Sequence, residues 1–148
     1  MPQRPTGITV LAILAGLAGI GLIILGVVVG AMAGAISDFI KTYAGTVAVG
    51  VDITGFIEAA LTAMAVVAFI FGILYIAAAY GFWIGAGWSR WLAIILMILD
   101  IIGGLITLPG GIITIIIAGL ILWYLMQPHV KAFFGAAPPP TPPPAPPP

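Results

Sequence analysis

Residues 8–36 read ITVLAILAGLAGIGLIILGVVVGAMAGAI and contain no charged side chain. A helix needs roughly 20 apolar residues to cross the hydrocarbon core of a bilayer, which is about 30 Å thick. This stretch is long enough. Because a single segment in lipid must satisfy its own backbone hydrogen bonds, the stretch is predicted to be a membrane-spanning α-helix.

The composition of the whole chain indicates the same environment. Of its 148 residues, 63% are hydrophobic and 5% are charged, and the mean hydropathy is +1.32. A soluble domain carries about 25% charged residues, so the surface is predicted to face lipid. The formal net charge of zero excludes a general basic field for nucleic acid. The absence of cysteine excludes disulfides, thiolate metal ligands and cysteine nucleophiles.

Three further apolar stretches complete the predicted fold, an all-α integral membrane four-helix bundle over residues 1–134. The predicted helices are at about 8–36, 53–84, 91–108 and 112–126. The last is short, and residues of the turn before it are expected to extend the span. TLPGG at 107–111 predicts a tight reversal and an antiparallel hairpin, with a re-entrant pair of half-helices as the alternative. Residues 37–52 are predicted to be a loop that starts with a short interfacial helix.

The first helix also has the features of a secretory signal, because AMAGA at 31–35 resembles a cleavage site. Its apolar run is longer than the usual signal core of about 7–15 residues. A prepilin-like cut after Gly7 is disfavoured by the three spans that follow. The helix is therefore expected to remain as a signal anchor.

The loop charges orient the predicted bundle. With four spans, the termini and the second loop share one side. That side carries Arg4, Arg90 and Lys131 and no acid, whereas the other carries Lys41 against three acids, Asp38, Asp52 and Glu58. The positive-inside rule places both termini in the cytoplasm, and we expect a location in the cell (plasma) membrane. Aromatic residues at helix ends on the cytoplasmic side predict an interfacial belt, with an aromatic ligand cage as the alternative: Tyr80, Trp83, Trp88, Trp91, Trp123 and Tyr124.

The C-terminal residues 135–148 differ from the rest, because PPPTPPPAPPP is nearly all proline. Such a run adopts polyproline II. It is predicted to be a stiff, disordered cytoplasmic tail. Docking on an aromatic groove of a partner domain is the alternative.

Small residues predict where helices pack. Gly26, Gly30 and Gly34 form a GxxxGxxxG ladder on the first helix, and small side chains let two backbones approach closely in lipid. Packing within one chain is favoured over packing between copies, since a four-helix bundle needs such faces. The candidates on the other helices are Gly72, Gly103 and Gly104.

Asp100 is the acidic residue deepest in the predicted spans. Residues three, four and seven positions apart share a helix face, which groups Asp100 with the two glycines after it and with Thr107. A charged group facing lipid at mid-membrane costs about 3 kcal/mol or more, so Asp100 is predicted to face a helix–helix seam. Tyr75 on the second helix is the candidate hydrogen-bond donor. A carboxyl that fixes helix register is favoured over a proton or cation pathway, because such a pathway needs more polar lining.

Catalytic patterns are absent from the sequence. The lone His129 has no histidine or cysteine partner for a metal, and Pro128 before it is expected to help end the fourth helix. A weak surface cation site at Asp38, Asp52 and Glu58 remains open, although solvated charges are favoured. We expect no enzyme activity, no cofactor and no resident metal.

Two segments resemble a known group of proteins. The RPTG start at 4–7 with the LAIL that follows it, and the PHVKAFFG end at 128–135, resemble small, uncharacterised four-span membrane proteins of archaea and bacteria. The resemblance covers the first, third and fourth helices. It implies the same four-span architecture and carries no activity.

These observations favour a non-catalytic accessory or scaffolding subunit of a membrane assembly. Its expected partners are the lipid bilayer and other membrane subunits or a second copy. The alternative is a small oligomeric transporter or channel that uses Asp100.

Overall fold

The computed structural model describes residues 5–44 and 53–135. They form only α-helices, which confirms the all-α prediction for this part of the chain. Arg4, residues 45–52 of the predicted first loop, which include Asp52, and residues 136–148 of the predicted Pro-rich tail lie outside the described residues. The helices are α1 Thr6–Ala44, α2 Ile53–Ile84, α3 Gly87–Ile106, α4 Ile112–Leu125 and α5 Pro128–Phe133.

Three of these helices, α1, α2 and α3, are long and apolar enough to cross a membrane. The helix α3 has 20 residues, about 30 Å at 1.5 Å per residue. The apolar helix α4 has 14 residues, or about 21 Å. It is shorter than a bilayer core. The four-span bundle and its orientation therefore stay predictions.

The helix α1 is longer than the sequence predicted. It was expected to end at Ile36, but it continues to Ala44 as one helix of 39 residues. Contacts along the added turns explain this. The Thr42 hydroxyl donates to the Asp38 carbonyl oxygen at 2.9 Å, Lys41 Nζ lies 3.9 Å from an Asp38 carboxylate oxygen, and the rings of Phe39 and Tyr43 stack at 4.5 Å. The ion pair and the ring contact, between side chains three and four residues apart, stabilise a helix.

The turn between α2 and α3 is set by Gly85, whose φ of +69° suits glycine. The amide of Ala86 donates to the Gly81 carbonyl oxygen at 2.9 Å, and the amide of Gly85 donates to the Phe82 carbonyl oxygen at 3.4 Å. This pair of bonds is a Schellman motif, which ends a helix at glycine. The next helix starts at Gly87 rather than at Trp91, so it gains a turn.

The end of α4 differs from the prediction in the role of Pro128. The helix ends at Leu125, before the proline, and Pro128 is the first residue of α5. Proline suits a first helical position because its missing amide has no partner there in any case. The sequence prediction included no α5.

The chain divides into two compact units, and each is described by itself below. The first unit is Met1–Ala12 with Ala78–Pro148, and the second unit is Ile13–Ala77. The first unit contains the α3–α4 hairpin, which reverses over residues 107–111. The second unit contains the paired parts of α1 and α2.

Candidate functional site

A hydrophobic cluster in the first unit joins the ends of all five described helices, and we call it the helix-end cluster. Its central residues, Leu125 and Val130, are fully buried. Their close packing against the other members of the cluster fixes how the helix ends meet. Its buried members are Ile8, Ala12, Phe82, Ala93, Ile94, Leu125, Val130 and Phe134.

The two sequence segments that carry the family resemblance both lie in this cluster. Gly7 of the RPTG segment contacts the Tyr124 ring so closely that a Cβ there would overlap the phenol oxygen. The PHVKAFFG segment forms α5, which supplies Val130 and Phe134 to the cluster. Its His129 ring meets the Tyr124 ring edge-on, with centroids 5.7 Å apart. The start of α1 and α5 therefore pack together.

Two polar side chains are buried beside this cluster. The Ser89 hydroxyl donates to the Ala86 carbonyl oxygen at 2.7 Å, and Gly81 lies so close that a Cβ there would overlap the Ser89 side chain. Arg90 donates from Nε to the Leu125 carbonyl oxygen at 3.2 Å. That carbonyl is one of the last of α4, which has no partner within its own helix. Arg90 therefore caps the C-terminus of α4.

Asp100 is half-buried on α3. It shares a face with Ala93, Met97 and Gly104, and all three are buried. Thr107, which was grouped with Asp100, is exposed at the end of the helix. Its hydroxyl donates to the Gly103 carbonyl oxygen at 3.0 Å, so it is engaged with its own backbone.

The predicted donor Tyr75 is half-buried on α2. It belongs to the second unit, whereas Asp100 and Thr107 belong to the first. The hydrogen bond between Tyr75 and Asp100 stays a prediction.

In the second unit, α1 and α2 approach most closely at glycines seven residues apart. A Cβ on Gly72 would lie 2.8 Å from the Gly19 carbonyl oxygen, and one on Gly26 would lie 2.7 Å from the Ala65 carbonyl oxygen. A Cβ on Gly30 would make an ordinary contact with the Ala65 side chain at 3.4 Å, and one on Gly34 would meet no described atom within 4 Å. The close face therefore includes Gly26 of the predicted ladder and continues to Gly19 rather than to Gly30 and Gly34.

In the first unit, the two candidate glycines of α3 differ. A Cβ on Gly104 would lie 2.7 Å from Ile115 Cγ1, and the backbone of Gly104 touches Gly111 across the hairpin. Gly103 is exposed, and a Cβ there would meet no described atom within 4 Å. Only Gly104 makes the close approach that was expected of both.

A groove of about 680 Å³ runs along one face of α2 in the second unit. Glu58 and Thr62 have the polar side chains of the lining, and the other lining residues are glycine, alanine and valine. Asp52, the third acid of the suggested cation site, lies outside the described residues. Over 5–44 and 53–135, no three His, Cys, Asp or Glu side chains are placed to hold a metal ion. The groove is lined by Gly55, Glu58, Ala59, Thr62, Ala63, Val66 and Val67.

Comparisons with protein-family descriptions, with curated proteins and with solved structures found no match. The resemblance to small four-span membrane proteins therefore stays a prediction.

Sequence reasoning did not single out Arg90, Ser89, Gly7 or Gly81 as site residues. Arg90 entered the sequence analysis only as a loop charge, because α3 was expected to start after it. One signal was available: an arginine between serine and tryptophan at the edge of an apolar helix is already unusual in a chain with four basic residues.

Proposed function

We propose that this chain is a multi-pass integral membrane protein that acts as a non-catalytic accessory or scaffolding subunit. In this proposal four segments cross the cell membrane, both termini are cytoplasmic, and the helices pack through small residues. Three helices of sufficient length and apolarity support membrane insertion. The loop charges and the positive-inside rule support the orientation.

The observation that carries the accessory role is the contrast between two faces of α2. One face packs against α1 of the same chain. On this face Gly72 contacts the backbone of Gly19, and the carbonyl oxygen of Ala65 lies close to Gly26. The other is the groove along Gly55, Ala59 and Ala63, which is open. Small residues at intervals of four favour close helix association in lipid, and a polar side chain beside them adds an interhelical hydrogen bond. The groove therefore suits a transmembrane helix of another subunit.

Extraction in a mild detergent, followed by the mass and composition of the extracted particle, tests this role. We expect the protein to leave the membrane with unrelated subunits in a fixed ratio. Recovery as a homo-oligomer alone, or as a monomer, would contradict the accessory role.

A matched pair of variants connects that result to the groove. Ala63→Leu fills the groove, whereas Ala18→Leu adds the same atoms to an exposed position of α1. We expect Ala63→Leu to release the partner subunits and Ala18→Leu to retain them. Equal retention by both variants would place the partner elsewhere.

The absence of native cysteine allows a direct test of the proposed orientation. Single cysteines are introduced by Lys41→Cys, Ala86→Cys and Gln127→Cys and treated with a membrane-impermeant maleimide in intact cells. We expect labelling at position 41 only, with positions 86 and 127 labelled after the cells are opened. The reverse pattern would invert the proposed topology.

The alternative, a transporter or channel, has one supporting observation: the half-buried carboxyl of Asp100 on the buried face of α3. The hydroxyl of Thr107, the nearest polar side chain on that face in sequence, is engaged with its own helix. The accessory role is therefore the function that the geometry supports best.

A further inference from the structure

Arg90 is a buried cation whose hydrogen-bond donors are mostly unused. The side chain is 7% exposed. A guanidinium has five N–H donors. In the described part of the chain, Nε donates to the Leu125 carbonyl oxygen at 3.2 Å, and Nη2 lies 3.8 Å from the Met126 sulfur, a weak acceptor. The outer edge of the guanidinium therefore retains donors for another acceptor.

The charge of Arg90 is also unbalanced in its unit. Among residues 5–44 and 53–135, Lys41 forms an ion pair with Asp38, whereas Arg90 forms none with a described carboxylate. Asp100, the described acid of the same unit, lies ten residues further along α3, or about 15 Å. The last carbonyls of α4 carry partial negative charge that offsets part of the guanidinium charge. A buried charge is costly unless it is paired, so an anion is expected here.

The surroundings indicate where that anion comes from. Trp88, Trp91 and Trp123 are each at least half exposed, and the Trp91 ring lies 5.9 Å from Arg90 Cζ. Exposed tryptophans of membrane proteins sit at the level of the lipid headgroups. At that level the abundant anionic group is the lipid phosphate, whose oxygens match the planar fork of a guanidinium.

We propose that the guanidinium of Arg90, held by the end of α4, binds the phosphate of an anionic phospholipid at the membrane surface. This inference rests on the proposed membrane insertion. The Leu125 carbonyl fixes one side of the guanidinium and leaves its Nη edge for two phosphate oxygens. An arginine held in this way loses less side-chain freedom on binding than an exposed lysine, so it binds the phosphate more tightly. Its uncompensated positive charge favours a headgroup with net negative charge.

The test uses the native tryptophans as reporters. The full chain is reconstituted in phosphatidylcholine vesicles, and brominated phosphatidylglycerol or brominated phosphatidylcholine with the same acyl chains is titrated in. Bromine quenches tryptophan fluorescence on contact. We expect phosphatidylglycerol to bind about tenfold more tightly. Phosphatidylcholine has the same phosphate, but its choline cation offsets the phosphate charge and is repelled by the guanidinium. Equal quenching by the two lipids would overturn the proposal.

Variants assign the preference to Arg90. We expect Arg90→Gln to lose the tenfold preference and Arg90→Lys, which keeps the charge without the fork, to keep a reduced one. Lys131→Gln removes a charge from α5 without touching the α4 cap and is expected to retain the full preference. A preference that survives Arg90→Gln, or is lost in Lys131→Gln alone, would overturn the assignment. If Arg90→Gln does not fold, Arg90→Lys is compared with Lys131→Gln. A smaller preference in Arg90→Lys supports the assignment to Arg90, and equal preferences in the two variants contradict it.

Two further measurements are needed. One distinguishes lipid phosphate from free phosphate, and the other distinguishes failure of the lipid site from failure of the proposed membrane insertion. Inorganic phosphate is added and compared with sodium chloride at equal ionic strength. Loss of the phosphatidylglycerol preference with phosphate alone would make this a site for free phosphate and overturn the lipid assignment. Failure of the protein to float with the vesicles would contradict the proposed membrane insertion itself, whereas insertion without headgroup preference would contradict only the lipid site.

Discussion

Gly19 of α1 and Gly72 of α2 meet backbone to backbone. A Cβ added to either residue would lie 2.8 Å from the carbonyl oxygen of the other. Neither helix can accept a side chain at this point without moving. The same kind of contact recurs seven residues away on each helix, at Gly26 and Ala65.

Adding a methyl group at Gly26 is expected to destabilise the protein. In Gly26→Ala the new Cβ would lie 2.7 Å from the Ala65 carbonyl oxygen. Overpacking of this kind costs about 1–3 kcal/mol. Thermal unfolding in detergent, followed by circular dichroism, measures the loss.

The control for this variant lies on the same helix. Gly34→Ala adds a methyl group that meets no described atom within 4 Å, and replacing a helical glycine by alanine typically stabilises by about 0.5–1 kcal/mol. If Gly34→Ala lowers stability as much as Gly26→Ala, the GxxxGxxxG ladder is the packing face after all.

The difference between these glycines shows what the sequence could predict and what it could not. Small residues in the apolar helices predicted packing faces without naming the helix pair, and α1 and α2 approach closely at Gly19 and Gly72. The sequence has glycine or alanine at intervals of both four and seven, and each interval is compatible with a helix pair. Which spacing forms the contact depends on the face that α2 turns toward α1. That face is set by the packing of both helices together. Four of the six buried positions of α1 are spaced seven residues apart, Ala12, Gly19, Gly26 and Ala33; the other two are Ile8 and Ser37.

The contact between Gly7 and Tyr124 predicts a coupled pair. We expect Gly7→Ala to cost about 1–3 kcal/mol, because the new Cβ would overlap the Tyr124 phenol. In a Tyr124→Ala background the overlap is absent, so the same change is expected to cost little. A double-mutant cycle of thermal stabilities measures the difference.

Gly119→Ala is the control for this cycle, because it lies on the same helix as Tyr124 and meets no described atom within 4 Å. Its effect is expected to be the same with and without the Tyr124 ring. Strictly additive effects of Gly7→Ala and Tyr124→Ala would show that the start of α1 and the end of α4 do not touch.

The helix-end cluster was not foreseen because it is built from residues distant in sequence. Ile8 and Val130 are unremarkable apolar residues in the sequence, yet both are fully buried. Local patterns located α2, α3 and α4 to within a turn, whereas the end of α1 was placed too early, at Ile36 instead of Ala44. They could not show that Pro128 starts a new helix whose side chains return to the start of α1.

The α3–α4 hairpin provides a matched pair of adjacent glycines. In Gly111→Ala the new Cβ would overlap the Gly104 backbone, whereas in Gly110→Ala it would lie 3.5 Å from the Thr107 carbonyl oxygen. We expect Gly111→Ala to lower stability by about 2–3 kcal/mol and Gly110→Ala to have little effect. Tryptophan fluorescence during thermal unfolding in detergent distinguishes them. Equal effects would mean that the two helices do not approach at Gly104.

The last prediction concerns the role of Asp100. If its carboxyl fixes helix register, Asp100→Asn keeps a hydrogen-bonding group of the same shape and is expected to cost about 0.5–1.5 kcal/mol. Proton flux into reconstituted vesicles, read with a pH-sensitive dye, should then be the same for wild type, Asp100→Asn and the exposed-acid control Asp38→Asn. A cycle with Tyr75→Phe tests the predicted hydrogen bond, which requires non-additive losses. Flux that is present in wild type and in Asp38→Asn but abolished in a stable Asp100→Asn protein would instead make Asp100 part of a conduction path.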